Sequence, residues 1–231
     1  MHVPDGFLDA PTSVATAAVA VAGVALALRG ARRELDERTA PMAGLVATFV
    51  FATQMLNFPV GAGTSGHLLG GTLAAILVGP WTGMLCVSVV LIVQALLFAD
   101  GGITALGTNI TLMAIVGVVV GWVVFRSLQA VLPKRAGLVA PLAAVGALVS
   151  VPSAALAFVG LYAVGGTAPI ALETLVTAML GWHTLIGIGE AVITGLVVGS
   201  VMSVRPDLVY GARRVLKAGE LEIRTAEGAS A

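Results

Sequence analysis

Thr82-Gly-Met-Leu-Cys-Val-Ser-Val-Val-Leu-Ile-Val-Gln-Ala-Leu-Leu-Phe98 contains no Asp, Glu, Lys or Arg, and it decides the class of this protein. A helix of this length and apolarity matches the roughly 20 residues needed to cross the hydrocarbon of a bilayer. The pattern extends outward in both directions. Histidines aside, Asp100 is the only ionisable carboxylate or base between Ala40 and Phe125, and only Glu173 and Glu190 interrupt Ala136–Ser203. The chain of 231 residues is 58% hydrophobic and 10% charged. A soluble domain carries roughly 25% charged residues, so too little polar surface remains for a water-facing shell. The sequence predicts an all-α, polytopic transmembrane helical bundle.

Seven apolar stretches are marked: Thr12–Leu28, Met42–Leu56, Leu68–Val78, Thr82–Phe98, Asn109–Phe125, Leu138–Val159 and Thr184–Val204. Pro169–Leu180 is a candidate for an additional short helix. The third stretch is short, and the run before it, Phe58-Pro-Val-Gly-Ala-Gly-Thr-Ser-Gly66, reads as a glycine-rich, re-entrant-like segment. Irregular backbone at membrane depth is tolerated only where protein or a polar cavity covers it.

Charge sets the orientation. Arg29, Arg32, Arg33 and Arg38, then Arg126, Lys134 and Arg135, then Arg205, Arg213, Arg214, Lys217 and Arg224 are all the basic residues of the chain. About seven spans put every one of them on one side, which the positive-inside rule makes cytoplasmic. Asp5, Asp9, Asp100 and Glu173 fall on the other side with the amino terminus. The expected division is one integral membrane domain over 1–204 and a cytoplasmic carboxyl tail over 205–231, in a bacterial or archaeal plasma membrane. Formal net charge is zero, with no pull toward nucleic acid. The first twelve residues carry no Lys or Arg. A signal peptide with a basic n-region is therefore not expected, and Met1 and His2 are expected to persist.

The outer face carries the chemistry. An amine followed by histidine can chelate a divalent ion through the Met1 amine, the deprotonated His2 amide and His2 Nδ1, and His67 could close the square. Planar nitrogen ligation suits Ni(II) or Cu(II), with cobalt still open. The plainer reading makes His2 an exposed terminal residue and His67 a hydrogen bonder at a helix start. His183 and Glu190 lie seven residues apart on one helical face. They fit a further metal contact, a transfer step or a buried hydrogen-bond network. Gln54, Asn57, Gln94, Asn109 and Thr111 are polar groups near span ends that fit interhelical hydrogen bonds or support of a site. Cys86 reads as a packing residue. No HExxH, CxxC, GxSxG or Walker A motif is present, so no nucleotide is expected on this chain and it does not read as an enzyme.

Five blocks in one order carry a resemblance: Met1-His-Val-Pro-Asp-Gly-Phe-Leu8, Gln54-Met-Leu-Asn-Phe-Pro-Val60, Gly63-Thr-Ser-Gly-His-Leu-Leu-Gly-Gly71, Gln94-Ala-Leu-Leu-Phe-Ala-Asp-Gly-Gly-Ile-Thr-Ala-Leu-Gly-Thr-Asn109 and His183-Thr-Leu-Ile-Gly-Ile-Gly-Glu190. The chain resembles the CbiM/NikM family, the cobalt/nickel substrate-specific membrane components of energy-coupling factor transporters. The resemblance implies metal binding by the Met1 amine, the His2 amide and side chain, and His67, with Asn57 and Ser65 shaping the loop beside them. It also implies a transmembrane coupling subunit, two separate ABC ATPase subunits that hydrolyse ATP, and in some members a small accessory membrane protein. Cobalt-associated members often carry a histidine near the position of Asp100. Its absence from Phe98-Ala-Asp-Gly-Gly102, with the Pro4–Asp5 start, leans toward nickel. The competing functions are a stand-alone metal channel or carrier and a membrane metal sensor without net transport.

Overall fold

The computed structural model describes residues 1–35, 37, 39–61 and 64–220, without the side chains of 58–65 and 217–220. Helix α1 (Ala10–Ala31) starts where Asp9 accepts the Thr12 amide at 2.8 Å and Pro11 occupies the first turn. Both are favoured at a helix start, because the first amides have no partner inside the helix. Then come α2 (Thr39–Gln54), an antiparallel hairpin of β1 (Phe58–Gly61) and β2 (Thr64–Gly66), and the short α3 (Gly71–Val78). Helix α4 (Pro80–Leu97) follows directly. The next rod runs continuously from α5 (Leu106–Asn109) through a π-helical stretch, Ile110–Val116, into α6 (Gly117–Val131). Helices α7 (Val139–Gly165) and α8 (Leu172–Val204) form an antiparallel pair, and α9 (Arg213–Glu220) follows two 3-10 turns.

Five helical segments are long and apolar enough to cross a membrane: Ala10–Ala31, Pro80–Leu97, Leu106–Val131, Ala136–Gly165 and Leu172–Val204. Thr39–Gln54 is a shorter apolar helix. That is fewer full-length spans than the seven expected. The difference lies in α2 and in α3, whose eight residues reach only about 12 Å at 1.5 Å per residue. Pro169–Leu180 forms no separate helix, since from Leu172 onward it is the first part of α8. The glycine-rich segment forms the hairpin, with a register irregularity between Pro59 and Gly61. An all-helical bundle therefore carries one small two-stranded insertion among the described residues.

Packing explains why α3 can be so short. All eight of its residues are buried. Around it, α6 and α7 approach at small residues: a Cβ on Gly146 would stand 2.7 Å from the Gly121 carbonyl oxygen. Thr72 of α3 donates to the Ser150 hydroxyl of α7 at 2.9 Å. Close backbone approach at small residues is the usual route to helix association in lipid. The outward faces are apolar, as Leu185, Ile188, Val192 and Leu196 on α8 and Val14 and Val21 on α1 show.

The two ends differ. The amino-terminal residues, the hairpin, the α4–α5 loop and the α7–α8 turn gather at one end. The described basic residues Arg29, Arg32, Arg33, Arg126, Lys134, Arg135, Arg205, Arg213 and Arg214 lie at the other. There Glu34 reaches from the α1–α2 connection to accept the Thr82 amide at 2.7 Å and the Trp81 amide at 3.3 Å, capping α4. The segment after 204 begins as part of the bundle, because Val209 and Ala212 are fully buried.

Candidate metal centre

Residues 1–9 form a strap laid across the non-basic end. The Asn109 side-chain amide imitates a backbone partner: it accepts the Val3 amide at 2.8 Å and donates to the Val3 carbonyl at 3.2 Å. The Gly102 amide adds a bond to that carbonyl at 3.0 Å. Asp5 accepts the amide of Thr104 at 2.8 Å and its hydroxyl. On the far side Thr167 donates its hydroxyl to the Gly6 carbonyl at 2.6 Å and its amide to the Phe7 carbonyl at 3.1 Å. Asp9 then donates to the Gly165 carbonyl at 2.7 Å. Gly101 turns the receiving loop at φ +91°, and a Cβ on Gly102 would collide with the Asp5 amide nitrogen. These bonds carry Met1 and His2 inside: they retain 1% and 5% of their accessible surface.

The interior they enter holds all three histidines of the chain. The His2 and His67 rings stack with centroids 4.4 Å apart at 28°. His67 Nδ1 lies 2.8 Å from the Leu68 carbonyl oxygen. A carbonyl only accepts, so Nδ1 bears the proton and Nε2 presents a lone pair. That Nε2 is buried without a hydrogen-bond partner. The same logic applies to His183, whose Nδ1 lies 2.8 Å from the Met179 carbonyl oxygen while its buried Nε2 has no hydrogen-bond partner. The Met1 amine is near enough for its charge to act on His67, His183 and Glu190.

Glu190 holds the His67 loop. Its two carboxylate oxygens accept the amides of Leu69 at 2.7 Å and Gly70 at 2.9 Å. Gln54 completes the clamp by donating to the Leu69 carbonyl at 2.7 Å. Asp100 sits at the mouth, with Oδ1 3.0 Å from His2 Nδ1 and Oδ2 accepting the Asn57 side-chain amide at 2.8 Å. The His2–Asp100 approach has the distance of an ion pair without the alignment of a hydrogen bond. An ion bound through His2 Nδ1 would have to share or displace that carboxylate. Ser65 belongs to β2, and its side chain lies outside the described residues. Thr111 is occupied elsewhere, donating to the Thr16 carbonyl at 2.9 Å. Cys86 donates to the Ala43 carbonyl at 3.4 Å and is a packing residue.

The electrostatics favour neutral nitrogen. Burial pushes the Met1 amine down to about 4, against the pull of Asp100 and Glu190. Burial also lowers His2. Burial raises Asp100, but its contacts with His2 and Asn57 prevail and leave the carboxyl below its usual value. Among the described residues no three His, Cys, Asp or Glu side chains are placed to hold an ion. An ion held here would therefore have to draw on the amine and backbone amide as well as imidazole. The sequence singles out the histidines, and Thr104 and Asn109 fall within the Gln94–Asn109 block, but their bonds to the strap, and Thr167 altogether, have no local signal.

The chain matches the family described as the cobalt uptake substrate-specific transmembrane region, CbiM, over residues 2–208. It is 35% identical to the fused nickel transport protein NikMN of Rhodobacter capsulatus, over 100% of this chain and 70% of that one. It is 39% identical to the cobalt transport protein CbiM of Sorangium cellulosum over 59% of this chain and 60% of that protein. A solved truncated transition metal transporter superposes with a TM-score of 0.81 at 33% identity, over 88% of this chain and 99% of that one. The chain belongs to the CbiM family of nickel and cobalt transport membrane proteins.

Proposed function

We propose that this protein is the substrate-capture component of an ATP-driven nickel or cobalt uptake transporter, with Met1, His2 and His67 as metal ligands. One observation carries the reading: a docked amino terminus brings its amine and His2 into a buried chamber against His67, whose Nε2 has a free lone pair. Nitrogen donors of borderline character in such an arrangement suit Ni²⁺ or Co²⁺ over hard cations. Asp100 and Asn57 orient His2, and Glu190 and Gln54 fix the loop behind His67. His183 borders the chamber and is a candidate contact for an ion leaving the planar site.

The amino terminus lies outside and the basic end in the cytoplasm, where a transmembrane coupling subunit and two ABC ATPases drive release; a small accessory membrane protein completes some assemblies. This chain contributes no nucleotide site of its own. Asp5, Asp9, Asp100 and Glu173 raise the local cation concentration at the outer mouth. Metal binding displaces a proton from the His2 amide, so acid opposes it.

The test is nickel and cobalt binding to the purified chain by calorimetry. Native protein is compared with protein carrying one extra residue before Met1 and with His67→Ala. Both changes abolish high-affinity binding if the reading holds, and unchanged affinity and stoichiometry in both rejects it. Metal uptake into proteoliposomes without ATP or partners would favour the channel or carrier instead.

A further inference from the structure

At the opposite end a cavity of about 560 Å³ opens between the end of α1, the start of α4, the end of α6 and the 210–214 segment. Five arginines line it: Arg29, Arg33, Arg126, Arg213 and Arg214. The one carboxylate in its wall, Glu34, is committed to the amides of Trp81 and Thr82 and to the Thr82 hydroxyl. None of the five arginines forms an ion pair among the described residues. Two are braced on aromatic faces, Arg126 over Trp122 at 5.4 Å and Arg213 over Tyr210 at 4.6 Å. Arg126 also donates to Gln129 Oε1 at 2.7 Å, and Gln129 in turn donates to the Gly211 carbonyl at 3.0 Å. This network ties the α6 arginine to the segment that carries Arg213 and Arg214.

Stacking on an aromatic face holds a guanidinium flat and leaves its N–H edge to meet a planar or tetrahedral oxyanion. Unpaired, braced arginines around one concavity concentrate positive potential there. Trp81, Trp122 and Tyr210 give the rim the amphipathic rings found at membrane–water boundaries. Leu26 lines the same cavity and is 54% exposed on the apolar outer face of α1. An occupant with an anionic head and an apolar tail can therefore enter along α1.

We infer that this arginine-lined cavity binds a phosphate-bearing anion, supplied in the membrane by the phosphodiester headgroup of an anionic phospholipid. Basic pockets between membrane helices recognise such headgroups through the same charge and hydrogen-bond chemistry. A soluble phosphate compound shares that chemistry, and the two sources separate in one experiment.

The full-length chain with Trp182→Phe keeps Trp81 and Trp122, both in the cavity wall, as its only tryptophans. It is placed in phosphatidylcholine nanodiscs and given brominated phosphatidylglycerol or brominated phosphatidylcholine in equal amounts. The expected result is stronger quenching by the anionic lipid. That preference falls about ten-fold or more in Arg33→Gln/Arg214→Gln, since each basic residue at a membrane surface is worth roughly five-fold. Both replaced side chains are exposed, and retained nickel binding at the far end checks that the variant is folded. Arg126→Gln, tested separately, reports on a braced position. A saturable response to pyrophosphate without lipid preference, lost in the same variants, assigns the cavity to a soluble phosphate. Equal quenching by both lipids with no pyrophosphate response overturns the inference, as does a lipid preference that survives in both variants.

Discussion

The two ends of this bundle handle charge in opposite ways. At the strap end a terminal amine and three histidines are packed out of water, and burial keeps the amine neutral. At the basic end five arginines surround an open cavity, and among the described residues none of them forms a close ion pair, although Glu34 acts on Arg213 at longer range. An amine that is neutral offers a lone pair to a transition metal, whereas an exposed guanidinium offers only charge and N–H bonds. The difference shows how one apolar scaffold keeps nitrogen groups neutral by desolvation at one end and guanidinium groups charged by exposure at the other. Changes that matter at one end should leave the other intact.

The largest expected effect is on His67. His67→Ala removes the buried Nε2 and should lower nickel affinity by two orders of magnitude or more, roughly beyond the 10–100-fold cost of losing a supporting residue. Calorimetry reads the affinity, and the quenching preference at the arginine cavity should not move. Asn109→Ala comes next. It removes two of the three bonds that grip Val3, leaving the Gly102 amide on its carbonyl, so affinity should fall about 10- to 100-fold while His67 remains in place. Normal nickel affinity in this variant would show that the strap docks without its clasp.

How much of this was legible in the sequence depends on the kind of interaction. The Thr82–Phe98 run predicts a helix because its apolarity is local, and α4 spans Pro80–Leu97. His2 and His67 stood out as rare imidazoles next to turn-forming residues. The Asn109–Val3 clasp joins residues 106 positions apart through one side-chain amide, and no local pattern encodes that. The shortness of α3 was visible, but its complete burial depends on glycines in α6 and α7. The sequence marks Pro169–Leu180 as a separate short helix and Thr184–Val204 as a span, whereas one helix runs from Leu172, just after the proline, to Val204.

A smaller effect concerns pH. The Met1 amine has a folded value of about 4 against 8.0 for the free group. Between those values the undocked state holds more protons than the docked one, so docking gains stability as pH rises and loses it as pH falls from 8 toward 4. The protection factor of the Val3 amide in metal-free protein should therefore fall with acidification, so that its exchange slows less than the intrinsic rate does. A constant protection factor across that range would contradict the buried amine.

The smallest effect on metal binding is expected from Glu34→Gln. It weakens the cap of α4 and should lower thermal stability by about 1–2 kcal/mol. Nickel affinity should stay within error, and a loss there would mean that the two ends are mechanically coupled.

The strap has a consequence for synthesis. Its partners Asn109, Gly165 and Thr167 follow it by roughly a hundred or more residues, and domains assemble as the chain emerges from its amino terminus. The strap residues are thus made before the partners that hold them. A chain stalled before α7 would hold Val3 and Asp5 through Gly102, Thr104 and Asn109 but leave Gly6, Phe7 and Asp9 without Thr167 and Gly165, so the strap docks fully only on a protomer whose later helices are already in the membrane.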